Sequence, residues 1–142
     1  MIQSDLSRYN DFAPLLLRIG VGIIFIVAGW GKITGIEGTI GFFGGLGIPL
    51  PGVMAWVVAL VEFVGGLMVL TGTYIRIPTI LLACVMLVAL LTTKVGGEFG
   101  AARLDIMLLL ANLALFIMGS GKYSVNSLLL GDPESAATTR HL

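Results

Sequence analysis

Four apolar runs, residues 13–31, 52–70, 77–93 and 104–118, make up about half of this 142-residue chain, and the only charged side chains inside them are Arg18, Glu62 and Asp105. Crossing a hydrocarbon core of roughly 30 Å takes about 20 helical residues at ~1.5 Å rise each. The first two runs suffice, and the last two fall a turn short unless their flanks also wind. With 57% hydrophobic and 11% charged residues and a mean hydropathy of +1.04, the chain is too apolar for a soluble globule. The expected fold is therefore an all-α membrane protein, a four-transmembrane-helix bundle with short connections and antiparallel neighbours.

Composition removes several functions. Eight basic and eight acidic residues cancel, so no cationic surface points to nucleic acid. Cys84 is the only cysteine, so no internal disulfide or C-x-x-C pair can form within the chain; its place midway along the third run reads as buried packing. His141, the only histidine, is next to the last residue, which argues against bis-His haem and the usual zinc sites. No catalytic residue and no metal site is expected. A redox cofactor would come with a partner or be a lipid-soluble molecule such as a quinone, with nothing covalently bound.

Residues 1–12 read as a retained cytoplasmic tail without a signal-peptide cleavage site, 13–130 as the membrane domain, and 131–142, ending DPESAATTRHL, as a disordered tail. Arg8, Arg76, Lys122 and Arg140 fall on one side, against Lys32, Lys94 and Arg103 on the other; the positive-inside rule then places both termini in the cytoplasm. Pro14 and Pro78 mark helix starts. Between the first two runs, GIEGTIGFFGGLGIPLPG is too glycine-rich for a stable helix and too apolar for a solvated loop. An apolar glycine-rich loop against the outer membrane surface is expected there, a connector or a lid.

Helical periodicity gathers Arg18, Gly22, Phe25, Gly29 and Lys32 on one stripe, Ala55, Ala59, Glu62 and Gly66 on a second, and Asp105, Leu108, Asn112, Leu115 and Gly119 on a third. Small residues on such stripes let helices approach closely, so the polar stripes are also the packing stripes. The third run carries no charge and is expected to form the outer wall.

Glu62 facing lipid as an anion would cost at least ~2.5 kcal/mol, so it is expected to look inward at a partner. Aligning helix ends leaves a gap of roughly 15 Å to Lys32, yet the two side chains lean toward each other while Arg18 leans away. Lys32 is the preferred partner, directly or through water or a ligand. Each group also has a plain structural reading: Glu62 as a register lock, Arg18 as an anchor snorkelling to phosphate, Lys32 as an interfacial anchor beside Trp30, Asp105 as a helix-dipole group, and Asn112 as the source of one interhelical hydrogen bond. Glu62, Lys32, Asp105, Arg18, Asn112 and Arg103 are the ligand-binding or proton-relay candidates.

Four motifs in order, RIGVGIIFIVAGWGKI, FFGGLGIPLP, VEFVGGLMVLTGTYIR and GSGKYSVN, resemble the DoxX family of small prokaryotic four-helix membrane proteins. The resemblance rests on Arg18, Gly20, Gly29, Lys32, Phe42, Gly47, Pro49, Glu62, Gly65, Gly66, Gly72, Arg76, Gly119, Gly121, Tyr123 and Ser124, and departs at Ser120 and Asn126, where the family often has proline and aspartate. It implies a multi-pass protein of the prokaryotic cytoplasmic membrane that works with redox-complex protein partners, one such assembly passing electrons to quinone. Three functions are weighed: an accessory subunit of a membrane oxidoreductase complex with a quinone or small-ligand pocket, a small-solute or proton transporter, and a non-catalytic scaffold. Membrane lipids are expected contacts, and a homo-oligomer is compatible with each.

Overall fold

The structure is a computed structural model that describes residues 9–10, 12–94 and 99–119. The described residues form five α-helices and no strand. Helix α1 spans Phe12–Thr34, with Pro14 in its first turn, where the missing N–H has no carbonyl to serve. Gly35 alone separates it from α2, Ile36–Gly45. Helix α3, Pro51–Thr71, opens on Pro51 and closes at Gly72, whose φ of 73° lets the Thr73 N–H reach the Met68 carbonyl at 2.9 Å. Helix α4 covers Arg76–Ala89 and runs on through a π-helical turn, Leu90–Lys94; α5 covers Phe99–Met118.

By length and composition α1 and α3 can each cross a membrane, with mean hydropathies of 2.2 and 2.3. The apolar stretch of α4 with the π-helical turn, Arg76–Thr92, is shorter. Winding extends one residue beyond each end of the 77–93 run, and α5 begins five residues before Leu104.

The longest seam joins α1 to α3, and the next joins α4 to α5; α3 also meets α4, and α1 meets α5. The core between them is Val21, Phe25, Val69, Ile75, Leu82, Met86, Leu108 and Leu115. Large apolar side chains on the other faces, among them Leu16, Val27, Leu60 and Ile117, are exposed, as expected where lipid is the solvent.

Two expectations change. The glycine-rich connection holds a helix, α2, over Ile36–Gly45, packed on α3 and α1 with Phe43 buried. Near lipid, backbone groups are best satisfied within their own segment, and that outweighs the weak helix propensity of glycine. Cys84 is exposed, not packed: the inward stripe of α4 runs through Thr79, Leu82, Ala83 and Met86, and residue 84 falls to the other side of it. The N-terminal tail, apart from residues 9, 10 and 12, and the expected C-terminal tail lie outside the described residues.

Candidate functional site

Glycine sets the depth of the α1–α3 seam. A Cβ on Gly29 would stand 2.5 Å from the Phe63 backbone nitrogen, one on Gly66 2.8 Å from that of Ile26, and one on Gly22 2.9 Å from the Leu70 Cβ. Backbone therefore lies against backbone, with little freedom to slide. In these three contacts the paired positions are 29 with 63, 26 with 66 and 22 with 70, an antiparallel register that sets Trp30 level with Glu62 and Lys32 about 3 Å beyond.

That register makes the central contact. The Lys32 Nζ donates to the Glu62 Oε2 at 2.7 Å. The Glu62 side chain is only 3% exposed while that of Lys32 is 30% exposed, so the pair is sunk in the seam on its acidic side and reachable on its basic side. The separation of roughly 15 Å obtained by aligning helix ends is overturned by stagger: α1 ends opposite the middle of α3, and α3 runs on past it, where Gly44 of α2 lies beside Pro51. The Trp30 and Phe63 rings meet at 6.0 Å between centroids at the same level. Asp105, half-buried on α5, is close enough to Glu62 for the two charges to interact. Arg103 is exposed and forms no ion pair among the described residues.

Arg18 departs from the snorkelling expectation. It is 2% exposed, and its Nη2 donates to the Leu70 carbonyl at 3.4 Å. That carbonyl belongs to the last turn of α3, where four acceptors lack helical partners and the macrodipole is negative. The α1–α3 register sets Arg18 just beyond the end of α3, and its guanidinium turns back toward that end. Asn112 also departs: its Nδ2 donates to the Leu108 carbonyl of its own helix at 2.8 Å, not across helices.

Thr79 is one buried polar group the sequence did not signal, since a threonine after Pro78 reads as a helix start. It is fully buried, and its Oγ1 donates to the Ile75 carbonyl at 2.6 Å. Among the described residues no three His, Cys, Asp or Glu side chains gather to hold a metal. A groove of about 250 Å³ lies on a different seam, between α3 and α4, lined only by apolar side chains such as Leu60, Val64, Met68, Ile77 and Leu81.

The family model for DoxX matches residues 13–95, which takes in Arg18, Lys32 and Glu62. The chain belongs to the DoxX family. Among its DoxX relatives, the Bacillus subtilis (strain 168) protein named "Putative oxidoreductase CatD" is 43% identical over 116 residues, 81% of this chain and 85% of the relative. The Escherichia coli (strain K12) inner membrane protein YqjF is 35% identical over 131 residues, 87% and 97% of the two chains. Inner membrane protein YphA of the same organism is 35% identical over 75 residues, about half of each. No solved structure matches this DoxX protein. Asp105, Asn112 and Arg103 lie beyond the matched region, on α5.

Proposed function

We propose that this DoxX protein spans the prokaryotic cytoplasmic membrane as a four-helix bundle with both termini inside, and serves as an accessory subunit of a membrane-associated oxidoreductase complex. In this reading the Lys32–Glu62 pair binds a polar headgroup, a quinone being the natural ligand. The observation that carries it is the 2.7 Å pair itself, a buried carboxylate held by a lysine that keeps 30% of its side-chain surface. An ionisable group within a membrane helix marks a site by default. The names of the relatives, "Putative oxidoreductase CatD" and inner membrane proteins, are in keeping with the class.

The donor set fits such a ligand. An ammonium has three N–H groups; one is given to Glu62, and the others can orient a carbonyl oxygen. Glu62 can accept a proton from a ligand hydroxyl or return one. A bound quinone would supply the two-electron chemistry, and the protein the hydrogen bonds, the proton and the exclusion of water. Glu62, buried in the seam, favours a second reading in which its carboxyl takes up and releases a proton in transit through the bundle, with Arg18 and Asn112, buried at other positions along their helices, as fixed polar groups.

The test is a titration of a soluble quinone analogue into the protein in lipid nanodiscs, read as the thermal midpoint. Stabilisation in the wild type, lost in Glu62→Gln, is the expected result. No shift in either protein overturns the ligand reading, and proteoliposome proton flux that vanishes in Glu62→Gln would replace it with the second.

A further inference from the structure

Asn112 is fully buried on α5, on the inward stripe that also holds Asp105, Leu108 and Leu115. Its amide orientation is fixed, because the Nδ2 donates to the Leu108 carbonyl at 2.8 Å, and turning the group over would set two carbonyl oxygens against each other. The Oδ1 is then committed as an acceptor, and no donor among the described residues reaches it. In a low-dielectric interior such an oxygen is costly when left unmatched, and native proteins seldom leave one so. The neighbours on its own stripe, Leu108 and Leu115, are apolar and part of the core.

We infer that Asn112 Oδ1 is a binding point for an O–H donor, two turns further along α5 than Asp105. Asp105 lies two helical turns from Asn112 along α5, roughly 10 Å, and Glu62 interacts electrostatically with Asp105. The hydrogen-bonding complement is specific. The Asn112 donor side is already used, and its acceptor is open, so a hydroxyl suits it and a carbonyl oxygen does not. The O–H belongs either to a structural water or to the hydroxyl of a reduced, hydroquinone-type ligand; the second source rests on the ligand reading proposed above, and the first does not. For a ligand, the open acceptor at Asn112 selects a hydroxyl, which the reduced form has and the dione lacks.

The test compares wild type with Asn112→Leu, which keeps the branching and heavy-atom count in a bulkier side chain without polar atoms, in lipid nanodiscs, alone and with a soluble hydroquinone or its dione. If water fills the role, Asn112→Leu melts lower than wild type without additive, by roughly 3–6 °C. If a ligand hydroxyl fills it, hydroquinone raises the wild-type midpoint more than the dione does, and Asn112→Leu loses that preference. Asn112→Leu melting at or above wild type without additive, together with equal or absent responses to both compounds, overturns the inference, since apolar substitution then merely relieves an unmatched oxygen. The two proposals fail separately. A dione response that needs Glu62 but is indifferent to Asn112, with Asn112→Leu melting at or above wild type, keeps the ligand reading and removes this one; a lower midpoint for Asn112→Leu with no response to either compound does the reverse.

Discussion

Replacing Gly29 with alanine tests whether backbone contact at the α1–α3 seam creates the Lys32–Glu62 pair. The added methyl would lie 2.5 Å from the Phe63 nitrogen and 2.8 Å from its Cα and Cβ, whereas unstrained contacts sit near 3.5–4.0 Å. Because backbone atoms cannot rotate away, α1 must withdraw by roughly 1 Å. Overpacking of this kind costs about 1–3 kcal/mol, here toward the upper end, offset by up to about 1 kcal/mol from the better helix propensity of alanine. A net loss of about 1–2 kcal/mol lowers the midpoint by roughly 4–8 °C. Gly31 supplies the control: it is exposed, and a Cβ there would meet nothing within 4 Å, so Gly31→Ala keeps the propensity gain without the clash. Thermal unfolding in nanodiscs should rank Gly31→Ala above wild type and Gly29→Ala below it, with the response to a quinone analogue weakened in Gly29→Ala as Lys32 moves off Glu62. Equal midpoints for the two variants would refute the reasoning, because the seam would then have slack.

The remaining predictions follow from burial. Lys32→Met leaves the Glu62 carboxylate in the seam without its cation and should destabilise by about 3 kcal/mol, the low end for a broken buried pair because Lys32 is partly exposed. Adding Glu62→Gln to Lys32→Met should recover a large part of the loss, and a double-mutant cycle with strictly additive effects would deny the pairing. Cys84, exposed on α4, should react in membranes with a lipid-soluble maleimide at native temperature and without loss of stability. Reaction only on unfolding would mean that the face is covered.

Much of the site could be read before any coordinates. Glu62 had to look inward because lipid penalises its charge, and helical spacing put it on the same stripe as Ala59 and Gly66. Lys32 emerged as the partner from side-chain lean, although the distance was misjudged because helix ends are not where helices align. Burial of Arg18 was not legible, since whether an arginine snorkels depends on how far the neighbouring helix extends beside it. The Asn112 bond was missed for a related reason, because an intramembrane asparagine can satisfy its donor on its own i−4 carbonyl. The helix over Ile36–Gly45 was hidden by a propensity scale measured in water.

Sequence by itself determined the solvent, the helical class and the inward stripes, because hydrophobic run length and the 3.6-residue period are properties of one segment at a time. Tertiary structure decided the stagger of α1 against α3, and with it which charges meet. That register depends on where the bare backbones of Gly22, Gly29 and Gly66 find a close fit against the opposite helix, a property of two surfaces together that neither segment carries alone.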